Sequence, residues 1–114
     1  MKIIMLTGGR SQGKTDFAKR HFPEAELLDD YQLRVKQQLA AGQDPVEEAE
    51  KTMTALRQKS GSAVIIIEEM GCGIVPLSRE VRMYRDSNGR VACRIAAEAD
   101  EVYRVFAGMG ERIK

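Results

Sequence analysis

Eight residues near the N-terminus have the types and spacing to hold a string of phosphates: Gly8, Gly9, Arg10, Ser11, Gln12, Gly13, Lys14 and Thr15. They satisfy G-x-x-x-x-G-K-[ST], and each part of that pattern has a physical task. The glycines let the backbone curl so that successive N–H groups point inward at phosphate oxygens. A helix starting near Gly13 adds the positive end of its dipole. Lys14 would reach the β- and γ-phosphates of ATP or GTP, and the Thr15 hydroxyl would ligate Mg²⁺. The pattern also follows a strand-like run and opens a helix-like one, which is the setting such a phosphate loop requires.

The second part of a site of this kind is an acid at a strand end, holding the metal mostly through water. Two segments compete for it. Residues 65–69, Ile-Ile-Ile-Glu-Glu, have the hydrophobic-then-acidic pattern of many ATPases, and residues 27–30, Leu-Leu-Asp-Asp, are shorter but also fit. Local pattern does not choose between Glu68 or Glu69 and Asp29.

The elements that must position these groups are legible from periodicity. Residues 2–7 form an Ile-rich strand running into Gly8-Gly9, and residues 13–21 a helix with Phe17 and Ala18 inward, closed by Pro23. A short strand over 25–28 precedes Tyr31, Val35 and Leu39, one face of an amphipathic helix that Gly42 stops. Asp44, Pro45 and Glu47 carry the signature of a new helix start, with Ala49, Met53 and Leu56 inward as far as about Lys59. Residues 63–67 are the most strand-like in the chain, followed by a loop through Gly71, Gly73 and Pro76. Val81, Tyr84, Asn88, Val91 and Ile95 keep helical phase straight through Asp86-Ser87-Asn88-Gly89, so the spacing predicts one long helix over 78–98 rather than a turn. A strand over 101–106, a turn over 108–110 and an antiparallel edge strand over 111–114 complete the chain. Strands alternating with helices predict an α/β fold with a mostly parallel sheet covered on both faces. With the phosphate-loop motif after its first strand, the fold class expected is a three-layer P-loop NTPase (RecA-like). Gly8, Asp29 and Glu69 all stand just past strand ends, where ligands of such sheets bind.

Composition bounds the rest. The 114 residues fit one domain, 1–114, with a modest core. A net charge of +1 provides no global field for nucleic acid or for a membrane surface, and neither is expected as a partner. No run approaches the ~20 apolar residues of a membrane span, and residues 3–6 are far too few for the apolar region of a signal peptide. Cys72 and Cys93 show no metal-binding or disulfide spacing and read as reduced thiols. A cytoplasmic location follows as the expectation.

Taken together, these segments resemble the adenosylcobinamide kinase / adenosylcobinamide-phosphate guanylyltransferase family. Glu69-Met70-Gly71-Cys72-Gly73-Ile74-Val75-Pro76 is similar to the family's N-E-V-G-x-G-I-V-P loop. Arg85-Asp86, Gly89-Arg90-Val91, the run from 96 to 102 and the tail from 108 to 114 are similar to its ending. Leu27-Leu28-Asp29 and Gly42-Gln43-Asp44-Pro45 resemble its central strand and helix. The resemblance implies that Asp29 shares the metal with Thr15 and that Glu69 lies near the second substrate or the nucleotide, which makes Lys14, Asp29 and Glu69 the catalytic set. It also implies two reactions at one loop, phosphorylation of a cobinamide hydroxyl and GMP transfer through a phosphohistidine-type intermediate, and it favours Arg79 and Arg85 over Arg82 as phosphate contacts.

The departures from the family pattern bear on function. The segment that carries the guanylylated histidine, between the first helix and the Leu-Leu-Asp strand, is missing here. His21 is the only histidine, and His-Phe-Pro does not match the family motif. Ala92-Cys93 stands where the family has Asn-Gln, Glu68 replaces an Asn, and Arg10 and Ser11 sit one residue early in the loop. The leading expectation is a shortened, kinase-like member that binds a purine nucleotide with Mg²⁺, takes a corrinoid substrate and has no guanylyltransferase activity. The alternatives are a non-catalytic nucleotide-binding regulatory module of corrinoid metabolism and a minimal NTPase using Glu68 and Glu69. The oligomeric state stays open, a homo-oligomer being compatible with the sequence.

Overall fold

The computed structural model describes residues 1–70 and 78–114. Its elements follow the chain as β1 (Lys2–Gly8), α1 (Lys14–His21), β2 (Glu26–Leu28), α2 (Tyr31–Ala40), α3 (Pro45–Arg57), β3 (Ser62–Glu68), α4 (Arg79–Glu98), β4 (Glu101–Phe106) and β5 (Met109–Arg112). The expected loop through Gly71, Cys72, Gly73 and Pro76 lies outside the described residues.

β1 and β3 are unbroken apolar runs, and such runs are stable as strands only where both sheet faces are covered. They lie side by side in a five-stranded sheet of order β2-β3-β1-β4-β5. β1 pairs in parallel with β3, Ile4 opposite Val64, and with β4, Leu6 opposite Tyr103; β5 alone runs antiparallel, against β4. Ile3, Met5, Ala63, Ile65 and Ile67 face one core with Tyr31, Val35, Met53, Val91 and Ile95 from α2, α3 and α4. Ile4, Leu6, Val64 and Ile66 face the other with Phe17 and Ala18 from α1. Helices on both faces of the sheet make three layers, as the alternation of strands and helices predicts.

Handedness explains why α1 stands alone on its face. The step from β1 to β2 moves one way across the sheet, and the steps from β2 to β3 and from β3 to β4 move the other way. Right-handed crossovers therefore place the connecting helices on opposite faces. The reversal puts a crevice at the carboxyl ends of β1 and β3, where α/β sheets bind ligands.

Local chemistry fixes the boundaries. The Asp44 carboxylate accepts from the Val46 N–H at 3.0 Å and Pro45 opens α3, while Glu47 lies 3.9 Å from Lys51 along the helix. α4 runs uninterrupted through 86–89, because Asn88 is buried with its amide donating to the Glu68 carbonyl at 3.0 Å instead of closing a turn. The C-terminal strand begins two residues before its expected position. Ala107 and Gly108 both have positive φ, 50° and 76°, which closes a two-residue turn of the kind that matches strand twist. Pairing still continues past β5, with the Ile113 N–H on the Val102 carbonyl at 2.8 Å. Among the described residues no helix is long and apolar enough to cross a membrane.

Candidate functional site

β1 delivers the chain to Gly8, where only glycine fits. A Cβ there would lie 2.4 Å from the Val105 carbonyl oxygen of the adjacent strand, at a φ of 154°. Beyond it the backbone turns through left-handed residues at Ser11 (φ 58°) and Gly13 (φ 87°), the alternation that gathers N–H groups into an anion-binding concavity. Gly13 is also the N-cap of α1, so the positive end of that helix opens into the same space.

A cavity of about 640 Å³ lies over this loop, walled by residues 10–16 on one side and by Asp29, Gln32, Glu68, Met70 and Tyr84 on the other. Lys14 Nζ donates to the Gly9 carbonyl at 2.6 Å, so the ammonium is held over the loop. Thr15 Oγ1 donates to Asp29 Oδ2 at 2.8 Å. The other Asp29 oxygen accepts from the Asp30 N–H at 2.8 Å, which fixes the carboxylate plane. Of the competing acids, Asp29 is therefore the one in contact with the loop hydroxyl. Glu68 also lines the cavity. Glu69 is anchored through its N–H to the Gly8 carbonyl at 2.8 Å, and its carboxylate accepts from Arg104 Nε at 3.2 Å.

Thr15 and Asp29 present hard oxygen donors 2.8 Å apart, the donor chemistry that suits Mg²⁺. Among the described residues no group of three or more His, Cys, Asp or Glu could hold a metal without help. An ion there would complete its shell with water and phosphate oxygens, as Mg²⁺ ordinarily does.

Two polar residues outside the predicted site, Gln32 and Asn88, hold the main chain at Glu68. Gln32, 8% exposed, accepts from the Glu68 N–H at 3.0 Å through Oε1 and donates to Asp30 Oδ1 at 3.1 Å. Its own carbonyl accepts from the Tyr84 hydroxyl at 2.6 Å. Burial, and to a lesser degree the Glu68 charge, push the Tyr84 hydroxyl above the usual phenol range, so it stays a donor. A glutamine beside the apolar stripe of α2 was the available signal for Gln32. For Asn88 the signal was a polar residue within the stripe of α4 itself.

Arg79, Arg82 and Arg85 do not line the phosphate cavity; Arg85 instead lines a neighbouring groove with Arg90, Cys93, Arg94 and Val46, and the two spaces share Met70. His21 ends α1, with its ring 4.2 Å from that of Phe17, at the opposite end of the helix from Lys14.

A family model described as cobinamide kinase / cobinamide phosphate guanyltransferase matches residues 20–113, a span that begins after the phosphate loop. The bifunctional adenosylcobalamin biosynthesis protein CobU of Salmonella typhimurium is 41% identical over 68 residues, 60% of this chain. Its counterpart of the same description from Escherichia coli is 40% identical over 67 residues, 59% of this chain. These matches span 38% and 37% of the two relatives' own lengths.

Proposed function

Because the chain belongs to the cobinamide kinase / cobinamide phosphate guanyltransferase family, we propose that it binds ATP or GTP with Mg²⁺ over the Gly8–Thr15 loop and phosphorylates a corrinoid alcohol of the cobinamide class. The observation that carries this reading is the contact between Thr15 and Asp29. Two residues 14 positions apart, one from the phosphate motif and one from a strand end, meet where a phosphate-bound metal would sit.

Phosphoryl transfer asks little covalent chemistry of a protein and much positioning and charge stabilisation. Lys14 and the loop N–H groups supply positive charge to the phosphate oxygens, and Asp29 and Thr15 would hold Mg²⁺, whose charge would offset that on the β- and γ-phosphates. The acceptor oxygen forms its bond to the γ-phosphorus as the bond to the β,γ-bridging oxygen breaks, which releases ADP or GDP. The hydroxyl proton would pass to a carboxylate at the end of β3. Glu68 lines the cavity there, and Glu69, expected in the catalytic set, would first have to leave its pairing with Arg104. The arginine-lined groove that shares Met70 with the cavity is where we place the acceptor.

Guanylyl transfer is left out of this function. The family's histidine segment is missing, and His21 stands at the wrong end of α1. A non-catalytic nucleotide-binding role is the second reading, favoured by Cys93, exposed on the groove where the family pattern has a polar amide. Incubation with γ-labelled ATP or GTP, Mg²⁺ and cobinamide separates the outcomes. Label on the corrinoid is the expected result. Free phosphate without corrinoid label would indicate a minimal NTPase, and binding without turnover a regulatory module.

A further inference from the structure

Gln12 is expected among the residues that face the phosphates, yet the structure commits its carbonyl groups elsewhere. Its side-chain Oε1 accepts from the Ala107 N–H at 2.9 Å. Its main-chain carbonyl accepts from the Gly108 N–H at 2.8 Å. In a two-residue hairpin turn those two N–H groups are the pair that the strand ladder leaves unbonded, and both go to one residue of the phosphate loop. The side-chain amide of Gln12 lies 3.4 Å from the Arg10 carbonyl, back within the loop.

The hairpin tip is held from two further directions. Arg20, from the last turn of α1, donates to the Gly108 carbonyl at 3.1 Å. Gly13 approaches so closely that a Cβ on it would lie 3.3 Å from Gly108 Cα. The hairpin is also seated against the same helix, since a Cβ on Gly110 would strike the Phe17 ring.

We infer that Gln12 is a positioning residue: it makes the Ala107–Gly108 tip of the β4–β5 hairpin a working part of the phosphate loop, so that nucleotide affinity and hairpin order are coupled. A loop that must present several N–H groups to one anion loses affinity when its backbone is free to sample other shapes, because binding then also has to order it. Gln12 sets the backbone next to Gly13 against a turn whose geometry β4 and β5 already fix. Coupling of this kind is reciprocal, so nucleotide must order the tip as the tip orders the loop.

The inference rests on the nucleotide reading, and its test keeps the two apart. Wild type, Gln12→Ala, Arg20→Met and the double variant are titrated with ATP and with GTP, and exchange of the Ala107 and Gly108 amide hydrogens is followed by NMR. Gln12→Ala should bind about 3- to 10-fold more weakly, the scale of one intramolecular hydrogen bond. Arg20 lies six residues beyond Lys14, roughly 9 Å along the helix, and makes its bond to the tip rather than to the loop. Arg20→Met should still weaken binding, and the double variant should lose less than the product of the two single effects. Nucleotide should slow exchange at Ala107 and Gly108 in wild type and leave it fast in Gln12→Ala. Wild-type affinity in Arg20→Met beside weak binding in Gln12→Ala would overturn the inference in favour of a direct contact, and so would equal amide exchange in wild type and Gln12→Ala. A wild type that binds neither nucleotide would contradict the function proposed above. Even then, tip exchange that is slow in ligand-free wild type and fast in Gln12→Ala would uphold the anchoring of the loop to the hairpin and overturn its coupling to nucleotide.

Discussion

Asp29 and Glu68 both border the cavity, and the difference between them is what each oxygen touches. Asp29 turns one oxygen to the Thr15 hydroxyl and the other to the Asp30 N–H, so its charge is fixed in place beside the loop. The firm anchors of Glu68 are main-chain ones, to Gln32 and Asn88. If Asp29 organises the metal, Asp29→Asn keeps the shape and removes the charge, and the gain in ATP affinity on adding Mg²⁺ should vanish. Glu68→Gln should keep that gain. Titrations with and without Mg²⁺ decide it, and the reverse pattern would favour the ATPase-like alternative. The loop itself was legible because its chemistry is sequential: eight consecutive residues make one cradle. Asp29 was not separable from Glu68 by local pattern, since the choice depends on which strand end lies beside Thr15. Gln12 and Gln32 were illegible as anchors for the same reason. Their partners are 95 and 36 residues away.

At the level of elements, the two ends of the sheet do different work. The carboxyl ends of the strands carry the phosphate loop, and the amino ends carry a network of charges. Asp100, at the corner between α4 and β4, accepts from the Ile3 N–H at 2.8 Å and from Arg57 at 2.6 Å. Glu101 pairs with Lys2 and accepts from the Tyr103 hydroxyl. The Arg57 hydrogen bond first, then the Ile3 N–H, hold the Asp100 carboxyl below its ordinary value; Lys2 first, then Tyr103, do the same for Glu101. A depressed carboxylate contributes fully above its unfolded value and loses that contribution as pH falls through its folded value. Stability should therefore decline as pH drops below the ordinary range of 3.8 to 4.5. In urea titrations from pH 6 to pH 2, Asp100→Asn with Glu101→Gln should flatten that decline, and an unchanged slope would count against these two as its source. At the opposite end, Gly8→Ala forces a methyl toward the Val105 carbonyl and should cost about 1–3 kcal/mol, the usual range for overpacking. Denaturant midpoints at constant m-value would show it, and a wild-type midpoint would contradict the strand spacing seen here. Periodicity revealed every helix among the described residues, because each buries one stripe. It placed the last strand two residues late, because the turn depends on Ala107 adopting a positive φ (50°) that alanine rarely takes.

For the molecule as a whole, the sheet order turns separate segments into one site. It brings the ends of β1, β2 and β3 together and leaves the far end of α1 remote from the phosphates. His21 is seven residues beyond Lys14, roughly 10 Å along the helix, and nucleotidyl transfer through a covalent intermediate needs a nucleophile within reach of the α-phosphate. GTP labelled at the α-phosphate should leave no acid-labile label on this chain; stoichiometric label that disappears in His21→Ala would overturn that placement. The strand order was foreseeable only as a mostly parallel sheet, since neither periodicity nor composition ranks strands in space. The central claim is that the loop binds a nucleotide through Lys14, and calorimetric titration of wild type and Lys14→Ala with ATP and GTP in Mg²⁺ tests it most directly. Wild type should bind saturably, and Lys14→Ala should lose on the order of 1.5–3 kcal/mol, the value of a charge-assisted contact. Absence of binding to wild type, or equal affinities for the two proteins, would contradict that claim.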